Sequence, residues 1–333
     1  MIDSSSRSPT WLVIFAFTAI YIIWGSTYLA IRWAIEGLPP FFMAGSRFMI
    51  AGLLLGSWLV ARGQRLPTPR QWRSAFCIGL LMLVIANGGV SWAEQYVPSG
   101  LVALFSALAP MWMVGFDMII PNHDGVRGKR PSARLIAGLV LGSAGMVLLV
   151  SGQSGDFTGL GEGPMPKLAA SVLLCATLAW TSGSLLTRRL DRPKSTFMAT
   201  SAQMVTGGAV LLVFAALRGE LGEISPAKLT WISLLSHLYL IVFGSIVALT
   251  AYTWLLENVS PSRVATYGYV NPVVAIILGW ALGGETLNGS AALATILIVL
   301  SVAMIVTPAK NDNALEPITS DEDEVPVMIV KAK

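Results

Sequence analysis

Residues 11–31 read WLVIFAFTAIYIIWGSTYLAI, a run without one charged side chain. At 1.5 Å per helical residue it is long enough to cross a hydrocarbon layer about 30 Å thick. No water reaches the backbone there, so the run reads as a helix that satisfies its N–H and C=O groups internally. Nine further apolar blocks follow it. The ten run approximately Trp11 to Ile31, Pro40 to Ala61, Ser74 to Ala93, Ser99 to Ile120, Leu135 to Ser151, Leu168 to Thr187, Phe197 to Leu217, Trp231 to Leu256, Val264 to Gly284 and Ser290 to Val306. Connections with Gly37, Pro39 and Pro40 punctuate them. The expected fold is an all-α polytopic membrane protein of about ten transmembrane helices. The length of the first block and the nine behind it make it a span and not a signal peptide.

Composition points the same way. Hydrophobic residues make up 54% and charged ones 12% of the chain, against roughly 25% charged in soluble domains. Such a chain cannot cover itself with polar surface, which excludes a soluble globule. The net charge of +4 does not indicate nucleic acid, because the basic residues sit between blocks. Cys77 and Cys175 fall inside blocks without metal-ligand spacing and read as structural filler. No cofactor or metal is expected.

With a cytoplasmic N-terminus, the inward connections carry Arg62, Arg65, Arg70, Arg73, Arg127, Lys129, Arg130, Arg134, Arg188, Arg189, Arg192 and Lys194. The outward ones hold Arg32, Lys167, Arg218 and Lys228. The excess of Lys and Arg predicts that both termini are cytoplasmic.

An offset of 156 residues places Trp24 on Trp180, Arg32 on Arg188, Gly52 on Gly208, and Arg62-Gly63 on Arg218-Gly219. With a small shift, Glu94 meets Glu257, Pro98-Ser99 meets Pro261-Ser262, and Pro110 meets Pro272. Five spans per unit is an odd number, so the second unit enters from the opposite face and the repeat is inverted. Inverted repeats are a recurring plan of secondary transporters. The expected organisation is an N-terminal cytoplasmic segment (1–10), a first repeat (11–151), a linker (152–166), a second repeat (167–307) and an acidic tail (308–333), read as disordered from its composition.

Matched interruptions point to a transporter's site. Pro110 and Pro272 each remove a hydrogen bond, to the carbonyls of Ser106 and Gly268. These prolines either line a site or only kink their helices. Tyr267 and Asn271 beside Pro272, and Asn87 and Ser91 in the third span, place polar groups deep in the membrane, as interhelical bonds or substrate contacts. Trp24, Thr27 and Tyr28 share one helical face and are echoed by Trp180 to Ser184. That face reads as a cavity wall or as tight packing of the two motif helices. Ionisable residues in spans are few and informative: Arg47, Asp117 and His237, with Glu94, Glu257 and Glu285 near span ends. Arg47 and Glu94 lie at compatible depths, as an ion pair, a coupling site or a shared headgroup site. Asp117 and His237 read as structural or interfacial. Gly138 and Gly142 form a GxxxG pattern for close packing within the chain.

These residues together carry a resemblance. Trp24-Gly25-Ser26-Thr27-Tyr28, Arg47, Pro98-Ser99-Gly100 through Ala109-Pro110, and Tyr269-Val270-Asn271-Pro272-Val273-Val274 through Gly284-Glu285 resemble the EamA family of the drug/metabolite transporter superfamily. Residues 92–100 with Tyr269 to Pro272 are particularly similar to its YedA-type inner-membrane exporters. The resemblance implies ten helices in two inverted five-helix repeats, a central cavity, alternating access, and the bacterial inner membrane as location. It implies a small-molecule substrate, such as an amino acid or related metabolite, often exported. Carried over, the wall residues are Trp24, Tyr28, Asn87, Ser106, Trp180, Tyr252, Tyr267 and Asn271, with helices five and ten peripheral. Gln203 stands where the second half would repeat Arg47, so any coupling site is one-sided. A passive channel for small solutes is the alternative reading. An intramembrane enzyme is less favoured, because no nucleophile and base, paired acids or metal cluster is evident. A monomer is expected, with a homodimer as the other possibility.

Overall fold

Among the described residues, the apolar blocks are helical. The structure is a computed structural model that describes residues 9–97, 102, 105, 106, 108–119, 131–154, 164–283 and 289–306. In it we label α1 (Thr10–Gly37), α2 (Pro40–Ala61), α3 (Pro69–Ala93), α4 (Ala109–Ile119), α5 (Ala133–Ser154), α6 (Pro164–Thr187), α7 (Thr196–Leu217), α8 (Trp231–Asn258), α9 (Tyr267–Gly283) and α10 (Gly289–Val306). No strand occurs among the described residues. Six helices, α1, α2, α3, α6, α7 and α8, are long and apolar enough to cross a membrane. Outward side chains such as Leu217 (81% exposed) and Trp231 (79% exposed) suit a hydrocarbon solvent.

The helix ends follow local chemistry. Pro40 opens α2, where a missing N–H costs nothing. Thr68 with Gln71 and Thr230 with Ser233 close capping boxes on α3 and α8, and Ser195 caps α7. The repeated Arg-Gly pair now has a meaning. Gly63 (φ 83°) and Gly219 (φ 81°) take the left-handed conformation that ends α2 and α7, a geometry that penalises any residue with a Cβ. Glu220, just beyond, accepts the amides of Phe41 (3.4 Å) and Phe42 (2.7 Å) at the start of α2. Burial pushes its carboxyl above the ordinary range, against the pull of those two bonds.

Helix packing relies on small residues. A Cβ on Gly45 would meet the Leu212 amide nitrogen at 2.9 Å, one on Gly52 the Val205 amide nitrogen at 2.8 Å, and one on Gly208 the Met49 amide nitrogen at 2.6 Å. These contacts run in opposite senses along the chain, so α2 and α7 are antiparallel and nearly backbone to backbone. Ser201 Oγ donates to the Gly52 carbonyl at 2.8 Å across the same seam. Gly138 and Gly142 do the equivalent for α5, seating Ile305 and Ser301 of α10, and Ser301 Oγ donates to the Gly138 carbonyl at 2.7 Å. The GxxxG pattern therefore serves packing within the chain.

Helices α5 and α6 reach Ser154 and Pro164, and residues 155–163, the middle of the expected 152–166 linker, lie outside the described residues. One expectation needs correction: Pro110 does not stand in a helix interior. It is the second residue of α4, after a break at Leu108, where its missing N–H loses nothing, whereas Pro272 does stand inside α9. The 307–333 tail, Pro98 to Gly100 and Glu285 lie outside the described residues, as does the side chain of Asp117.

The α2–α7 seam generates a prediction. Gly208→Ala is expected to destabilise the protein by about 1–3 kcal/mol, the usual cost of overpacking, because backbone atoms cannot step aside. Gly222→Ala, with nothing within 4 Å of its Cβ, is the matched control expected to show no change. Thermal midpoints of the purified proteins in one detergent measure the difference.

Candidate functional site

Two π-helical segments shape the centre. Residues Leu80–Gly88 of α3 and Leu240–Val247 of α8 both depart from α geometry, and in each a polar side chain bonds back five residues. Asn87 Nδ2 donates to the Met82 carbonyl and Ser245 Oγ to the Leu240 carbonyl, both at 2.9 Å. A wide turn leaves carbonyls that need donors, and these side chains supply them. The Gly244 carbonyl in the second segment accepts Trp24 Nε1 at 3.2 Å.

Trp24 anchors an aromatic cluster. Its ring centroid lies 5.3 Å from Trp180, 4.9 Å from Tyr252 and 5.2 Å from Tyr267, with edge-to-face or tilted planes. Tyr252 is fully buried, accepts Trp180 Nε1 at 3.0 Å and lies 2.7 Å from Ser184 Oγ. Aromatic pairs of this geometry add about 0.5–1.5 kcal/mol each beyond burial. Nearby, the Tyr21 and Thr266 hydroxyls meet at 2.6 Å, and the Asn271 amide, oriented to donate, reaches the Tyr21 and Tyr267 carbonyls at 3.2 and 3.1 Å. The result is a packed floor.

Above that floor lies a cavity of about 110 Å³. Its wall takes Trp24, Thr27, Tyr28 and Ile31 from α1, Ala86, Asn87 and Val90 from α3, and Leu173, Ala176, Thr177 and Trp180 from α6. Val102, Phe105, Ser106 and Ala109 close one side; Gly244, Leu249, Tyr267 and Asn271 close the other. The wall residues of α1 and α3 lie toward the C-terminal ends of those helices, so the cavity occupies the half of the bundle where α1 ends. Arg47 of α2 is its charged wall residue. Arg47 Nη2 donates to Asn87 Oδ1 at 2.9 Å, and its guanidinium carbon stands 4.3 Å from the Phe48 ring centroid.

The structure brings most of the expected residues together. Trp24, Tyr28, Asn87, Ser106, Trp180, Tyr267 and Asn271 line the cavity with Arg47. Tyr252, Pro110, Pro272 and Glu94 do not. Tyr252 supports the floor from behind. Pro110 and the Ser106 carbonyl pack against Gly268, where an added Cβ would lie 3.4 and 2.7 Å from them. The two carbonyls expected to face a cavity therefore belong to residues that meet each other. Glu94 is buried, and neither of its oxygens has a hydrogen-bond partner among the described residues. Arg47 bonds Asn87 in place of Glu94, and the ion pair found among the described residues is Arg192–Glu257 at 2.7 Å. His237 Nε2 lies 3.3 Å from Ser46 Oγ, away from the wall. Sequence reasoning missed the apolar wall of Phe105, Leu173 and Leu249, which looks like any other membrane-facing stretch. The π segments were also missed; the polar residues Asn87 and Ser245 inside apolar runs were the available signal.

Long apolar helices surround a small cavity whose wall carries one charged residue, Arg47, among the described residues. The chain belongs to the EamA-like transporter family, whose model matches it twice, over residues 10–151 and 167–307. It is 39% identical to the uncharacterized inner membrane transporter YedA of Escherichia coli K12, covering 87% of this chain and 89% of that protein. It is 29% identical to protein PecM of Dickeya dadantii over 88% of this chain and 91% of that one. A similarity of 25% extends to an S-adenosylmethionine/S-adenosylhomocysteine transporter of Chlamydia muridarum, over 88% and 91%. A solved crystal structure at 22% identity shares the fold with a TM-score of 0.70, covering 90% of this chain and 97% of its own.

The floor generates its own prediction. Tyr252→Phe removes the hydroxyl that accepts Trp180 Nε1 and meets Ser184, at a cost of about 0.5–1.5 kcal/mol for a lost hydrogen bond. A lowered thermal midpoint, together with a changed near-UV tryptophan circular dichroism signal, is the expected outcome.

Proposed function

We propose that the protein is a secondary transporter that exports a small metabolite, such as an amino acid or related compound, across a bacterial inner membrane by alternating access. The observation that carries this reading is a cavity, in a chain of a transporter family, that rests on the packed rings of Trp24, Trp180, Tyr252 and Tyr267. A passive pore needs a continuous path, whereas a carrier exposes its site to one side at a time. Below the floor, Arg192, Glu257 and Thr196 tie the start of α7 to the end of α8.

The proposed frame is ten spans in two inverted five-helix halves, with α4, α5, α9 and α10 completing the set and both termini cytoplasmic. Several features support it. The family model matches twice, the π segments occupy corresponding places in α3 and α8, and the Arg-Gly ends of α2 and α7 share one backbone geometry. α2 with α7, and α5 with α10, pack antiparallel, as halves of opposite orientation require. In this frame the cavity opens to the periplasmic side, and the YedA name lends support to the inner membrane as location.

Transport and topology test the reading. Proteoliposomes loaded with pooled radiolabelled amino acids and related metabolites are expected to show saturable efflux that accelerates with solute on the far side. Trp24→Ala and Asn271→Ala should abolish it. Flux that rises linearly with concentration and shows no such exchange would make the protein a channel. In a background with Cys77 and Cys175 replaced, a cysteine at exposed Glu223 should react with an impermeant thiol reagent in whole cells. One at exposed Gln64 should react only after the cells are opened.

A further inference from the structure

Arg47 decides the chemistry of the cavity. It is 4% exposed, yet its side chain forms part of the wall. It is held from two directions. Asn87 accepts from Nη2, with its own amide tied to the Met82 carbonyl of the π segment, and the Phe48 ring lies against the guanidinium. The other two nitrogens, Nε and Nη1, are buried and have no hydrogen-bond partner among the described residues. A desolvated guanidinium in that condition costs several kcal/mol unless an anion meets it. Its planar fork matches a carboxylate.

Glu94 does not supply that anion. Both of its oxygens are buried without a donor among the described residues, it is not one of the wall residues, and it makes no ion pair with Arg47. An ionised carboxylate there would be as costly as the unmatched guanidinium, so the neutral acid fits the site better. Arg47 is thus hydrogen-bonded to a neutral partner on a wall that carries no acidic side chain among the described residues. The rest of that wall is mostly apolar or aromatic, with Thr27, Asn87, Ser106, Thr177 and Asn271 as uncharged polar residues.

Resting on the carrier reading above, we propose that Arg47 is a pre-oriented anion subsite. The transported molecule is then a small carboxylate with an apolar body, its charged end on Arg47 and its body against Trp24, Trp180 and Tyr267. The aromatic floor selects the body, and the guanidinium rejects cations of the same shape by like-charge repulsion and by the cost of leaving its nitrogens unpaired. Asn87 is the positioning residue that aims it.

The test uses the purified full chain in lipid nanodiscs, with tryptophan fluorescence as the readout because Trp24 and Trp180 border the cavity. Three probes share one ring and differ in charge: phenylacetate, phenethylamine and benzyl alcohol. Phenylacetate is expected to bind saturably and the other two at least about 10-fold more weakly, the factor that corresponds to losing one charged hydrogen bond. Arg47→Gln should weaken phenylacetate by a similar factor, and Arg47→Lys should restore part of it. Glu94→Gln should retain binding, since a neutral amide replaces a neutral acid. Equal binding of phenethylamine, or no binding of phenylacetate, overturns the proposal on the wild-type protein alone, whatever the variants do. Phenylacetate binding that survives in a folded Arg47→Gln variant, or that is lost in a folded Glu94→Gln one, overturns it as well. Saturable exchange of uncharged or cationic solutes in proteoliposomes would overturn the anion subsite and leave the carrier reading standing.

Discussion

Inside a hydrocarbon layer, backbone N–H and C=O groups must find partners within the protein. Helices meet that demand, but a bundle of regular, fully apolar helices would have nothing with which to hold a solute. Here the departures from regularity are where the polar chemistry sits. The π segments of α3 and α8 release carbonyls, and Asn87, Ser245 and Trp24 provide donors for them. Two of those donors also build the site: Asn87 holds Arg47, and Trp24 forms the floor. Backbone satisfaction and solute recognition therefore use the same side chains.

The packing that keeps these groups in register has a different origin. Lipid is as apolar as leucine, so burying apolar area does not drive helices together; close approach and interhelical hydrogen bonds do. The seam between α2 and α7 shows both, with Gly45, Gly52 and Gly208 admitting backbone atoms and Ser201 donating across it. Arg47 sits on that seam helix two residues beyond Gly45, so the tight contact fixes the depth at which its charge enters the cavity. The corresponding residue of the second matched region is Gln203, which carries no charge. The same asymmetry separates Glu257, bonded to Arg192 and Thr196, from Glu94, which bonds neither.

Much of the architecture could be read in advance, because length and hydropathy of apolar blocks are local properties. The Arg-Gly pairs, the GxxxG pattern and the Trp24 motif also carried their meaning locally, through left-handed helix ends, close packing and a shared helical face. Four expectations depended on where a side chain finally points. Tyr252 turned behind the floor, Pro110 took a helix start, Pro272 stayed off the wall, and Glu94 stopped short of Arg47. No spacing rule distinguishes a tyrosine that faces a cavity from one that supports a residue facing it.

By itself the sequence determined a helical membrane chain, an internally repeated pattern and a short set of polar residues that had to be used for something, since burying them without partners is too costly. Only the tertiary structure decided which of them share a wall. That choice rests on the π turns, which rotate α3 and α8 relative to a regular helix, and on the glycine seam, which sets how deep α2 lies. Both are long-range effects of packing, and through them Asn87 came to hold the Arg47 guanidinium at the cavity wall while Glu94 makes no ion pair with it.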